Sequence, residues 1–283
     1  MTHQPLPPGE SNHRLAWPLR RANHEDGGRV FTALGRFVHA AMGLLVTHDW
    51  RGSDRLPQTG GVLVVSNHLS YFDAVALGEF LIWSGRWPRY LGKVQLWKTP
   101  VVGWLARSCE QIPVDRGSAK AAEVLVTAQG ALDDGRCVTM YPEGTLTRDP
   151  ETWPMTARSG AARLALRSQH PVVPVGQWGA NHVIGGTGMG MPRFFPRKRI
   201  HVCCGEPIDL SDLRPWVGTE REGEAVRAAS VRIMDALTGL VEELRGTPAP
   251  RDRWDTRVGA RVPQPPARVD EAGSRGPTDP GEV

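Results

Sequence analysis

From Gly61 onward, short apolar runs alternate with stretches of helical periodicity, and no other feature of this chain restricts its fold so strongly. Apolar strands are expected near residues 61–66, 110–114, 136–141, 171–178 and 199–204. Helices are expected near 71–84, 95–107, 118–133, 156–168 and 221–245. The 118–133 helix gathers Val124, Leu125, Ala128 and Leu132 on one face, and Asp134-Gly135 ends it. Such a rhythm predicts an α/β domain built on a mixed, mainly parallel sheet flanked by helices. Short strand-to-strand connections leave room for an antiparallel pair.

The run Asn67-His68-Leu69-Ser70-Tyr71-Phe72-Asp73 directly follows the apolar strand Gly61-Val62-Leu63-Val64-Val65-Ser66. If the chain turns there, Asp73 meets His68, accepts from one ring nitrogen and fixes the tautomer. The other nitrogen is then free to take a proton from an alcohol. A base with its orienter suits transfer of an acyl group straight onto a substrate hydroxyl. The plain alternative is a surface-loop histidine capped by a nearby aspartate.

Three later segments add to this pair. In Cys109-Glu110-Gln111-Ile112-Pro113-Val114-Asp115-Arg116-Gly117, Arg116 ends a short strand just before a helix beginning at Ser118, which makes an anion seat. Arg116 could equally be the partner of Asp115 or Glu110. In Tyr141-Pro142-Glu143-Gly144-Thr145-Leu146-Thr147, Pro142 stops a strand and Gly144 permits a tight turn. Glu143 and Thr145 then offer polar atoms at a strand's carboxyl end, where open α/β sheets place their ligands. Glu143 could instead only tie its loop to backbone amides. Pro171-Val172-Val173-Pro174-Val175 has the composition of a buried strand.

These four blocks, in this order and spacing, resemble the glycerolipid acyltransferase family, the 1-acylglycerol-3-phosphate (lysophosphatidate) acyltransferases and their relatives. The stretch Tyr90-Leu91-Gly92-Lys93-Val94-Gln95-Leu96, with Pro100 and Gly103 after it, is similar to a further block of that family. The resemblance runs from about Gly61 to Glu206. It implies His68 as base and Asp73 as its orienter. It also implies Lys93 and Arg116 as holders of the acceptor's phosphate, and Glu143, Gly144 and Thr145 as residues shaping the acceptor pocket. The implied donor is a thioester of coenzyme A or acyl carrier protein, the implied acceptor a lysophospholipid, and the implied product phosphatidate, with no metal and no bound cofactor. Lys93 as an ordinary surface lysine is the alternative at that position. Leu146 departs from the family's common arginine, leaving Arg148 as a nearby charge and the exact acceptor open. Glycerol-3-phosphate or another lysolipid is the neighbouring choice, and a non-catalytic lipid-binding protein a more distant one. No Gly-x-Ser-x-Gly elbow points to an esterase.

The 283 residues suit one domain plus tails, and the net charge of +4 suits an anionic membrane surface or phosphate substrates rather than nucleic acid. The four cysteines, Cys109, Cys137, Cys203 and Cys204, form no Cys-x-x-Cys pair, which fits a reducing compartment. Residues 1–27 read as a disordered lead without an apolar leader core, and residues 246–283, rich in proline and glycine, as a disordered tail. The acyltransferase domain is expected over 28–245. Within it, Val30, Phe31, Leu34, Phe37, Val38, Ala41, Met42 and Leu45 put one apolar face on a helix spanning 30–46. That helix is expected to lie in a membrane's head-group layer, with packing on the protein's own core as the alternative. The chain is thus placed at the cytoplasmic face of the cell membrane, peripheral or monotopic. The Gly- and Met-rich stretch 182–199 reads either as a lipid-contacting loop or as an ordinary surface loop.

Overall fold

The computed structural model describes residues 6–114, 121–185 and 190–269. Its strands are β1 (Val46–Arg51), β2 (Val62–Ser66), β3 (Pro88–Lys93), β4 (Ile112–Val114), β5 (Cys137–Met140), β6 (Val172–Trp178), β7 (Lys198–Cys204), β8 (Arg253–Asp255) and β9 (Ala260–Val262). Its helices are α1 (Leu19–Ala22), α2 (Gly28–Leu45), α3 (Asp73–Trp83), α4 (Pro100–Ser108), α5 (Ala121–Asp133), α6 (Ser159–Arg167), α7 (Ala180–Val183) and α8 (Glu222–Arg245). Strands β1 to β7 form one sheet in the order β1-β7-β6-β2-β5-β3-β4. Every neighbouring pair in it is parallel except β6 and β7.

Strand β2 lies at the middle of this sheet and every one of its residues is buried. Side chains alternate across a strand, so β2 serves two cores at once. Val62 and Val64 join Phe31, Leu77 and Phe80 on the face covered by α2 and α3. Leu63 and Val65 join Ala128, Leu132, Leu164 and Leu237 on the face covered by α5, α6 and α8. A strand buried on both sides must read as an unbroken apolar run, which is why this one stands out in the sequence.

Strands β1 and β3 fall outside the sequence expectation. Strand β1 reads Val-Thr-His-Asp-Trp-Arg, and its charges are buried in pairs. Asp49 holds Arg51 at 3.0 Å and His201 at 2.8 Å, and Arg51 reaches Glu243 at 3.0 Å. These donors hold the Asp49 carboxyl well below the usual carboxylate range despite the burial that pushes it up. Strand β3 begins with a proline and contains Gly92, both poor strand signals.

The disordered lead expected over 1–27 is a second correction in part, since residues 1–5 lie outside the described residues. Residues 6–27 pack on the domain, with a 3-10 turn over Asn12–Ala16, helix α1, and Leu19 and Ala22 buried. Polar side chains do much of the fastening: Asn12 bridges His48 and Trp50 of β1, and Asn23 donates to the Ile82 carbonyl at 3.1 Å. The tail expected over 246–283 is corrected in part, and its residues 270–283 lie outside the described residues. Strands β8 and β9 pair as a hairpin in which Arg253 and Asp255 are buried.

Helix α2 matches the expected periodicity, but it turns that face inward. Phe31 and Met42 are buried, and Leu34, Val38 and Leu45 pack against the same core. Phe37 and Leu44 point outward, 71% and 76% exposed. Among the described residues, no helix is long and apolar enough to cross a membrane.

Candidate active site

The carboxyl ends of β2 and β5 lie side by side, and the loops leaving them build the site. His68 and Asp73 meet there: Nδ1 of His68 lies 3.1 Å from an Asp73 carboxylate oxygen. Asp73 is the first residue of α3 and fully buried. The same oxygen accepts the amides of Leu69 and, at 2.7 Å, Ser70. One carboxylate thus closes the turn and orients the imidazole. Burial pushes the Asp73 carboxyl up, and the bonds from His68, Ser70 and Leu69 pull against that shift. With Nδ1 donating to Asp73, Nε2 of His68 carries the free lone pair, and 16% of the side chain is open to solvent.

Two further groups hold the histidine. The Tyr141 ring stacks on the imidazole, with centroids 4.0 Å apart and planes at 13°, so its π face supports an imidazolium. Glu143 accepts the His68 amide at 3.0 Å through one oxygen and the Met155 amide at 3.0 Å through the other. At 2% exposure Glu143 offers little surface to a substrate. Its contribution to the pocket runs through the main chain of His68, and the backbone-tying reading is the one its contacts support. Asn67 locks the end of β2 to β6, donating to the Gln177 carbonyl at 3.0 Å and accepting its amide at 2.8 Å.

Burial raises the Glu143 carboxyl from 4.5 to about 8, against the lowering effect of the two amides. For an acid raised on folding, the stability contribution is fully present below the ordinary value and is lost as pH rises through the folded one. Unfolding experiments between about pH 5 and about pH 9 should therefore show wild-type stability falling toward the alkaline end. Glu143→Gln should be less stable by about 1–3 kcal/mol, because its amide cannot accept from both main-chain groups, yet should lack that slope.

Comparison with known proteins bears on this geometry. Residues 48–178 match the family model described as Acyltransferase. Over that span the chain resembles the acyltransferases. It is 22% identical over 203 residues to the 1-acyl-sn-glycerol-3-phosphate acyltransferase of Streptococcus pneumoniae, covering 69% of this chain and 67% of that protein. It is 28% identical over 146 residues to the chloroplastic 1-acyl-sn-glycerol-3-phosphate acyltransferase of Brassica napus, covering 51% of this chain and 39% of that one. The crystal structure of the 1-acyl-sn-glycerophosphate acyltransferase from Thermotoga maritima superposes with a TM-score of 0.56 at 22% identity, over 78% of this chain and 81% of that one. At that identity the likeness is one of fold: a mainly parallel seven-stranded sheet flanked by helices.

Within the matched span the other expected residues fare unequally. Gly144 sits at φ 69°, which favours glycine, and a Cβ there would come within 2.6 Å of the Arg158 side chain and displace it. Thr145 is half-buried on the same turn. Leu146 is buried, which suits leucine and would not suit the arginine it replaces, whereas Arg148 is exposed. Lys93 ends β3, its side chain exposed and making no hydrogen bond or ion pair to another described residue. Arg116 lies outside the described residues. Tyr141 and Asn67 had no assigned role in the sequence reading, although both stand in the blocks that carry the resemblance.

Proposed function

We propose that the protein transfers a fatty acyl group from a thioester to the free hydroxyl of 1-acylglycerol-3-phosphate, giving phosphatidate. The observation that carries this is the His68–Asp73 pair at the end of β2, with one imidazole nitrogen committed to the carboxylate and the other free. His68 takes the acceptor's hydroxyl proton as that oxygen attacks the thioester carbonyl. The C–S bond then breaks, and the imidazolium returns its proton to the departing thiolate. Asp73 stabilises the imidazolium that forms between these steps. The acceptor's oxygen is the nucleophile, so no acyl group passes through the protein. Coenzyme A or acyl carrier protein brings the acyl chain as a substrate, and the mechanism draws on no metal or cofactor. Lys93 and Arg116 are the cations proposed for the acceptor's phosphate.

Membrane contact belongs to the same proposal. Leu96, Val101, Val102 and Trp104 are exposed on and just before α4, a helix in contact with α2, where Phe37 and Leu44 are exposed as well. Such a patch would rest on the cytoplasmic face of the cell membrane. Replacing Val101 and Trp104 together with serine should weaken co-sedimentation with anionic vesicles. The activity is tested by supplying a thioester donor with labelled lysophosphatidate, glycerol-3-phosphate and other lysolipids in turn. Phosphatidate should be the principal product. Acylation of another alcohol with none of lysophosphatidate would overturn the acceptor and leave the chemistry standing.

A further inference from the structure

The C-terminal hairpin lies outside residues 48–178, the span matched by the acyltransferase model. We infer that it is a strap that positions His68, and that Arg261 is its positioning residue. This inference rests on the acyltransferase reading above.

The path is continuous. Arg261, on β9, grips Asp149 with a two-pronged guanidinium, Nε to one oxygen at 2.8 Å and Nη2 to the other at 3.0 Å. Nη2 also reaches Glu151 at 2.8 Å. The Asp149 side chain is 1% exposed and also accepts the Glu151 amide at 2.8 Å, so it shapes the loop from within. Across that loop the Thr147 hydroxyl donates to the Trp153 carbonyl at 2.7 Å. The hairpin makes a second contact where the Thr156 amide donates to the Trp254 carbonyl of β8 at 3.0 Å. The far side of the hairpin is anchored on α8 by Arg253 and Asp235, 2.5 Å apart.

Both ends of the loop so held reach His68. The Thr147 amide donates to the His68 carbonyl at 2.7 Å. The Met155 amide donates to Glu143, whose other oxygen takes the His68 amide. The main-chain groups on either side of the imidazole therefore hang from one loop, and that loop hangs from Arg261. A bidentate guanidinium–carboxylate pair fixes angle as well as distance, which a lysine cannot reproduce. Misplacing a catalytic group by about 1 Å can cost about 100-fold in rate.

The test uses full-length Arg261→Ala, Arg261→Lys and Asp149→Asn. Turnover is measured alongside deuterium uptake of peptides covering residues 66–72 and 147–156. Arg261→Ala should lower kcat about 10- to 100-fold, with KM for donor and acceptor changed about twofold or less. Arg261→Lys should fall between it and wild type. The Arg261→Ala, Asp149→Asn double variant should be little worse than either single one, because the two act as a unit. Uptake should rise in the two named peptides and stay unchanged over residues 62–65 of β2 and over α8. Unchanged kcat and uptake in Arg261→Ala, or uptake rising along the whole chain, would overturn the strap. If Arg261→Ala does not fold, Arg261→Lys and Asp149→Asn are read in the same way. Uptake needs no substrate, so a wrong acceptor assignment would show as absent wild-type turnover while the uptake result still decides the strap.

Discussion

Removing the imidazole by His68→Ala should lower kcat/KM for acyl transfer by about 100- to 10,000-fold, the worth of a positioned general base. Asp73→Asn should approach that loss by another route. One Asp73 oxygen takes Nδ1 together with the Leu69 and Ser70 amides, so an asparagine carbonyl in its place keeps all three bonds and the NH2 takes the position of the other, unpartnered oxygen. What the asparagine removes is the negative charge that stabilises the imidazolium formed when the acceptor's proton is taken. His68→Ala should leave folding near wild type, because the side chain is partly exposed and its main-chain bonds to Glu143 and Thr147 survive the change. Initial rates with labelled lysophosphatidate check both variants. Turnover within about threefold of wild type in well-folded His68→Ala would remove the base from the mechanism.

The largest loss of stability is expected at Arg86. Its side chain is fully buried and every nitrogen is committed. Nε lies 2.5 Å from Glu25, Nη1 donates to the Pro57 carbonyl at 2.6 Å, and Nη2 donates to the Gly60 and Gly135 carbonyls at 2.7 and 2.8 Å. Arg86 thereby joins the N-terminal lead, the turn before β2 and the turn before β5. Arg86→Met fills much of the volume but leaves three carbonyls and one oxygen of the half-buried Glu25 carboxylate without their partner, the other oxygen keeping the Trp87 amide. Breaking a buried pair from one side costs about 3–5 kcal/mol. Urea unfolding should show that loss, together with earlier proteolysis within residues 6–27. A loss below about 1 kcal/mol would mean that water replaces the guanidinium at no great cost.

What could be read from the sequence follows the range of the interactions. The His68–Asp73 pair closes within one turn of chain, so its spacing carries the geometry. Strand β2 is buried on both faces by apolar residues, so its composition carries its place at the middle of the sheet. Strand β1 was invisible because its stability comes from pairs such as Arg51 with Glu243, 192 residues apart. No local pattern marks Arg51 as buried. The lead and the hairpin escape local patterns for a related reason. Counting apolar residues underrates segments fastened by Asn12, Asn23, Glu25 and Arg261, whose side chains satisfy distant backbone groups or charges. The apolar face of α2 was recognised, but periodicity alone cannot say whether lipid or the protein's own α3 covers it.

Direct transfer is tested most plainly by mixing the protein with a thioester donor labelled in its acyl chain, first alone and then with lysophosphatidate, while following thiol release and the position of the label. With donor alone, the protein should take up no label and no burst of thiol should appear. Once the acceptor is added, thiol release and labelled phosphatidate should rise together in equal amounts. Label bound covalently to the protein before the acceptor arrives, or thiol release at a rate indifferent to it, would contradict a mechanism in which His68 activates the acceptor's own hydroxyl.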